Sequence, residues 1–123
     1  MFKPLKFIRS FSFALKGLGA AFSEQNFWIH SVATIGVIVA GFCFSVNILE
    51  GCLLLFAISM VLTAEIFNTA IELLTDKVQP EIDPVVEKIK DLSAAAVLVS
   101  AITALAIGVL VFGKHVLHLL VKV

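Results

Sequence analysis

The sequence predicts an all-α integral membrane protein with an amphipathic N-terminal surface helix and three transmembrane helices. Of its 123 residues, 60% are hydrophobic and only 15% are charged, and the mean hydropathy is +1.09. Soluble domains carry about 25% charged residues. No Lys, Arg, Asp or Glu occurs between Glu24 and Glu50, or between Asp91 and Lys114. Each of these gaps is long enough to cross about 30 Å of hydrocarbon as a helix.

The surface helix is predicted over residues 2–22. Its apolar side chains fall on one helical face and its basic side chains on the other, which is typical of a helix lying in the membrane interface. The apolar face holds Ile8, Phe11, Leu15, Leu18 and Phe22, and the basic face holds Lys6, Arg9 and Lys16. Pro4 suits the first turn of this helix.

The three membrane spans belong to a single domain that occupies the whole chain. A polar turn around Asn47 separates the first two spans, and a charged connection with two prolines separates the last two. Pro84 suits the start of the last helix, with Asp83 as its cap. The predicted spans are residues 27–46, 49–75 and 92–112.

Basic residues predict the orientation of the spans. Seven lie on one side of a three-span arrangement and two on the other, and an excess of Lys and Arg marks the cytoplasmic side. The N-terminus and the long connection are therefore expected in the cytoplasm. The larger group is Lys3, Lys6, Arg9, Lys16, Lys77, Lys88 and Lys90, and the smaller is Lys114 and Lys122.

A stripe of polar side chains interrupts the second span. Glu65, Asn68, Glu72 and Asp76 are three or four residues apart, so they fall within an arc of roughly 80° on one helical face. Ionisable groups in a membrane segment are costly and usually face a bundle interior or a water-filled cavity. The stripe is therefore a candidate functional site, placed at the cytoplasmic boundary.

From the residues alone, such a stripe could bind a magnesium nucleotide, conduct a cation, or stabilise an oligomer. Clustered carboxylates suit a hard cation such as Mg²⁺. The chain has no G-x-x-x-x-G-K-[ST] motif and no Gly-rich kinase loop, and it has no basic tract for nucleic acid. Three short spans shield intramembrane glutamates poorly, so we expect a homo-oligomer with sites between subunits.

The stripe also resembles a signature of the prokaryotic diacylglycerol kinase family, the small trimeric membrane lipid kinases that include undecaprenol kinases. The signature E-x-[hydrophobic]-N-[ST]-[AS]-[hydrophobic]-E-x-x-[hydrophobic or small]-D is matched by residues 65–76. Further matches are Lys16-Gly17-Leu18, Glu24-Gln25-Asn26-Phe27 and the run that begins Lys90-Asp91-Leu92-Ser93. The resemblance therefore covers nearly the whole chain.

This resemblance implies an ATP-dependent, Mg²⁺-requiring lipid kinase of the bacterial inner membrane, working as a homotrimer with its active site facing the cytoplasm. By the same resemblance, Glu65 is the general base for the lipid hydroxyl and Asn68 orients the site. Glu24 and Glu72 are the implied ligands of Mg²⁺ with its ATP. The implied nucleotide contacts are Lys90 and Asp91, with Glu81 and Asp83 in a nucleotide-side loop.

Diacylglycerol is the lipid substrate that the resemblance favours, with phosphatidic acid as the product. Undecaprenol is the alternative, because the run from Gln25 to His30 is similar to the undecaprenol kinase branch. Asp83-Pro84 departs from the His-Pro that this branch often shows at the same place, which leaves the choice of lipid open. The non-enzymatic alternative is a membrane protein whose stripe handles protons or cations.

Overall fold

The computed structural model describes residues 1–122, and within them the chain forms four helices and no strand. Three of the helices are long and apolar enough to cross a membrane. The predicted fold class, a surface helix followed by three membrane helices, is therefore confirmed. The helices are α1 (Pro4–Ala21), α2 (Gln25–Cys43), α3 (Ile48–Val78) and α4 (Pro84–Lys122).

Capping residues set the starts of α3 and α4. The side chain of Asn47 accepts a hydrogen bond from the backbone N–H of Glu50 at 2.8 Å. Asp83 Oδ1 accepts from the backbone N–H groups of Val85 and Val86 at 2.8 and 3.1 Å. Each cap satisfies backbone donors that have no partner inside the helix. The predicted cap at Asp83 and the polar turn around Asn47 are thus confirmed.

Two of the membrane helices are longer than a bilayer requires. α3 has 31 residues and α4 has 39, which correspond to about 46 Å and 58 Å against a hydrocarbon core of about 30 Å. Both helices therefore extend past the hydrocarbon into the interface. The connection between them is reduced to residues 79–83, which is shorter than the predicted charged connection because both helices run into it.

α3 is the central element of the chain. It packs against α2 on one side and against α4 over a longer contact on the other. Small side chains on α4 let the two helices approach closely, since Ser93 and Ser100 are buried whereas Ala96 is exposed. The buried side chains of α3 recur every three or four residues over most of its length and are Glu50, Leu54, Ala57, Val61, Glu65, Asn68 and Thr75.

A polar cluster joins the start of α3 to the end of α4. The carboxylate of Glu50, only 6% exposed, lies 3.1 Å from Lys114 Nζ and 2.8 Å from His115 Nε2. Sequence analysis assigned Glu50 no partner. Fifteen residues separate Glu50 from Glu65 along α3, or about 22 Å. The cluster therefore lies at the opposite membrane boundary from the carboxylate stripe.

Replacing His115 with phenylalanine is expected to lower the thermal unfolding midpoint by several degrees, because one oxygen of a buried carboxylate loses its partner. The change lies far from the stripe, so the activity per folded molecule should stay at the wild-type value. Thermal unfolding in detergent micelles measures the midpoint. His118→Phe is the matched control, because His118 is an exposed histidine on the same helix. Equal midpoints for the two variants would contradict the stabilising role of the cluster.

Candidate functional site

The most deeply buried carboxylate of the chain is that of Glu65, which is 3% exposed. It lies in the middle of α3, on the face that packs against the neighbouring helices. His30, in the second turn of α2, places its ring Nε2 3.1 Å from Glu65 Oε1. A carboxylate in such a site needs a donor to offset its loss of hydration. His30 Nε2 is close enough to be that donor across the α2–α3 contact.

Asn68, one turn further along α3, is bonded to α4. The Ser93 hydroxyl donates to Asn68 Oδ1 at 2.8 Å, and both residues are buried. The bond fixes the orientation of the Asn68 amide, whose NH₂ group remains available as a donor. Asn68 can therefore present two N–H donors at a constant position next to Glu65.

Replacing Ser93 with alanine is expected to destabilise the protein by about 0.5–1.5 kcal/mol, because the buried Asn68 Oδ1 loses its donor. Denaturant unfolding in micelles measures this loss. Ser100→Ala is the matched control, because Ser100 is equally buried on the same helix. If both variants behave alike, the Ser93–Asn68 bond has no special role.

Asp76 and Lys90 form an ion pair between the end of α3 and the first turns of α4. Lys90 precedes the apolar stretch of α4. Its hydrogen bond to Asp76 raises the pKa of Lys90 above its ordinary value, with smaller contributions from the charges of Glu72 and Glu87. The ammonium group therefore stays protonated throughout the physiological pH range, and it lies close to the stripe as a fixed positive charge.

Glu24 and Glu72 lie at the same end of the helix bundle. His30 and Glu65 are in contact, and α2 and α3 run in opposite directions. Glu24 lies six residues before His30 and Glu72 seven residues after Glu65, which place each about 10 Å beyond that contact. Both side chains are exposed. The predicted stripe is thus divided in a single chain, with Glu65 and Asn68 buried and Glu72 and Asp76 exposed.

The remaining candidate nucleotide contacts are near the short connection between α3 and α4. Glu81 lies within the connection and is exposed. Asp83 caps α4 through Oδ1, so this oxygen is already engaged. Asp91, one residue after Lys90, is exposed. That these three residues contact a nucleotide stays a prediction. All three lie at the same end of the helix bundle as Lys90.

The donor set at this end of the bundle fits Mg²⁺. Within residues 1–122 no three His, Cys, Asp or Glu side chains come together as a metal site. Mg²⁺, however, is usually held by one or two carboxylates together with substrate phosphates and water. Glu65 and Asp76 are engaged by His30 and Lys90. Glu24 and Glu72 take part in no ion pair among the described residues, so their oxygens remain available.

Sequence reasoning missed two partners in this site, His30 for Glu65 and Ser93 for Asn68. In the sequence analysis His30 and Ser93 appear only as members of runs that resemble the family, with no partner assigned to either. No local signal identifies either pair, because each joins residues from different helices. A polar residue opposite a buried carboxylate can be found only once the rotation of both helices is known.

The sequence of this chain is similar to those of several known kinases. The family profile described as prokaryotic diacylglycerol kinase matches residues 12–112. An undecaprenol kinase from Bacillus subtilis is 33% identical over 108 residues, which cover 87% of this chain and 88% of that protein. A diacylglycerol kinase from Escherichia coli K12 is 29% identical over 111 residues, 89% of this chain and 91% of that protein. A diacylglycerol kinase from Synechocystis is 34% identical over 101 residues, 80% of this chain and 58% of that protein.

Proposed function

The chain belongs to the prokaryotic diacylglycerol kinase family, and we propose that it transfers the γ-phosphate of ATP to the primary hydroxyl of diacylglycerol, giving phosphatidic acid. That it is a membrane lipid kinase rests on the family and on its three membrane helices. The observation that carries the proposed reaction is the Glu65 carboxylate, which is 3% exposed within a membrane helix and lies 3.1 Å from His30 Nε2. A lipid hydroxyl can reach that depth without leaving the bilayer.

Glu65 acts as the general base. Phosphoryl transfer needs positioning and charge neutralisation more than covalent chemistry, together with a group that accepts the hydroxyl proton. In this role a Glu65 oxygen accepts the proton, with His30 Nε2 lying 3.1 Å from Oε1. Asn68, held by Ser93, lies one turn away and orients the reacting groups through its amide.

The ATP phosphates bind at the exposed end of the stripe. Glu24 and Glu72 hold Mg²⁺, which neutralises negative charge on the phosphates when bound. Lys90, whose charge is maintained by Asp76, adds a second positive group there. Asp91, Glu81 and Asp83 contribute to nucleotide binding from the first turns of α4 and the connection before it. ATP and lipid thus approach Glu65 from opposite directions, one from water and the other from the bilayer.

We further propose a homotrimer in the bacterial inner membrane, with the active sites between subunits and facing the cytoplasm. The asymmetry of Lys and Arg supports this orientation. Exposed carboxylates of the single chain support assembly, because Glu24 and Glu72 both lie on its surface. A neighbouring subunit at this surface would enclose the carboxylates that one chain leaves open.

Undecaprenol is the second candidate substrate. The Bacillus undecaprenol kinase is 33% identical to this chain over 108 residues. The run from Gln25 to His30 also resembles that branch of the family. Undecaprenol, like diacylglycerol, carries a primary hydroxyl at the interface, so the same base and the same phosphate site serve either lipid.

The decisive experiment supplies purified protein in mixed micelles with Mg-ATP labelled in the γ-phosphate and with each lipid in turn. Labelled phosphatidic acid at a kcat/KM above that for undecaprenol supports the proposal. A higher kcat/KM for undecaprenol would show that undecaprenol, and not diacylglycerol, is the preferred substrate. Absence of label in both lipids, from protein that is folded and assembled, would overturn the proposed function.

A further inference from the structure

His30 lies in contact with two different features of the molecule. Its ring Nε2 is 3.1 Å from the buried Glu65 carboxylate. The same side chain lines one end of an apolar cleft of about 630 Å³, bounded by α2, α3 and α4. The walls of the cleft include Thr34, Val61, Ala104 and Gly108. His30 therefore contacts the buried carboxylate and also forms part of the wall of a largely apolar cleft.

A hydrogen bond at this contact would orient the carboxylate. The terminal torsion of a glutamate side chain is broad and roughly two-fold, so packing alone leaves the orientation of the carboxylate plane poorly fixed. His30 Nε2, 3.1 Å from Glu65 Oε1, is close enough to donate to this oxygen and so to hold the plane. An ionised carboxylate only accepts hydrogen bonds, so such a bond requires a proton on Nε2, which both the neutral Nε2–H tautomer and the charged ring carry.

His30 is more exposed than the carboxylate that it contacts. It lies in the second turn of α2, and its side chain is 26% exposed, whereas that of Glu65 is 4% exposed. The ring is thus accessible from one side while it contacts a buried carboxylate on the other.

We propose that His30 is a positioning residue for the phosphoryl transfer, donating Nε2–H to Glu65 Oε1 and so holding the carboxylate in the orientation that accepts the proton of the lipid hydroxyl. This proposal rests on the proposed function, because it takes Glu65 as the base. His30 itself exchanges no proton with the substrate in this scheme. Its effect is on the orientation of Glu65, and so on kcat for lipid phosphorylation.

Two substitutions of His30 separate positioning from packing. His30→Phe keeps a ring of similar size but removes the donor. His30→Gln restores an N–H donor at a similar distance from the backbone. A hydrogen bond to a charged group contributes enough for His30→Phe to lower kcat by about 10- to 100-fold. His30→Gln should recover most of this loss, and the KM for ATP should stay at the wild-type value in both variants.

The assay uses the full-length protein in mixed micelles, at a temperature where each variant is folded. His118→Phe, the same substitution at an exposed site on α4, serves as the matched control and should leave kcat unchanged. A wild-type kcat for His30→Phe would overturn the proposal. Equal losses in His30→Phe and His30→Gln would also overturn it, because they would point to packing alone.

Glu65→Gln, assayed in parallel, distinguishes this failure from failure of the proposed function. If Glu65→Gln is inactive and His30→Phe is fully active, Glu65 remains the base and only the positioning role of His30 is rejected. A fully active Glu65→Gln removes the assignment of Glu65 as the base, and the positioning role falls with it.

Discussion

Replacing Glu65 with glutamine is expected to lower kcat for lipid phosphorylation by about 10²- to 10⁴-fold, the usual contribution of a positioned general base. The amide has nearly the shape of the carboxylate, and its oxygen can still accept a hydrogen bond from His30. It cannot accept the proton of the lipid hydroxyl. The expected loss therefore falls on kcat, with little change in the KM for ATP.

The measurement is label transfer from γ-labelled ATP to lipid, with thermal unfolding and oligomer size recorded for the same preparations. Glu87→Gln is the control, because Glu87 is another exposed acid near this end of the bundle with no role in the proposed mechanism. Wild-type turnover in Glu65→Gln would contradict the base assignment. A loss of turnover accompanied by loss of assembly would instead assign Glu65 a structural role.

Removal of Mg²⁺ by a chelator is expected to abolish transfer, and Glu24→Gln or Glu72→Gln should raise the Mg²⁺ concentration needed for half-maximal activity by at least about tenfold. Loss of a residue that only hydrogen-bonds to a metal ligand changes metal affinity or activity by about 10- to 100-fold. Loss of a ligand itself should have at least this effect. Each substitution removes one negative charge from the proposed site, where two carboxylates and the phosphates would hold the cation.

Titration of activity with Mg²⁺ at saturating ATP tests this expectation, and direct measurement of nucleotide binding with and without Mg²⁺ provides a readout independent of turnover. Glu87→Gln again serves as the control. If the Mg²⁺ dependence of Glu24→Gln and Glu72→Gln matches that of the control, these carboxylates do not hold the cation. The Glu65→Gln variant should keep the wild-type Mg²⁺ dependence of nucleotide binding.

Much of the fold is local in origin, which is why the sequence predicts it. The charge-free stretches between Glu24 and Glu50 and between Asp91 and Lys114 mark membrane helices by length and hydropathy alone. Asp83 and Pro84 mark a helix start because capping is a contact between near neighbours. The spacing of Glu65 and Asn68 places them on one face by helical periodicity, and both are buried.

The division of the stripe was harder to predict. Its four members share one helical face by periodicity, yet Glu72 and Asp76 are exposed while Glu65 and Asn68 are buried. The difference arises because the membrane part of α3 is packed between α2 and α4, whereas its end extends past the hydrocarbon. Periodicity gives an angle around the helix axis, and exposure depends also on which neighbours are present at each height.

The sequence by itself determined the class of protein, the order and approximate bounds of its helices, and which polar residues of α3 share a face. Only the tertiary structure decided which side chains from other helices meet them: His30 at Glu65, Ser93 at Asn68, and His115 with Lys114 at Glu50. The physical reason is that such pairs depend on the rotation and axial shift of one helix against another. Those two quantities are set by side-chain packing along the whole contact, and no residue pattern within a single helix encodes them.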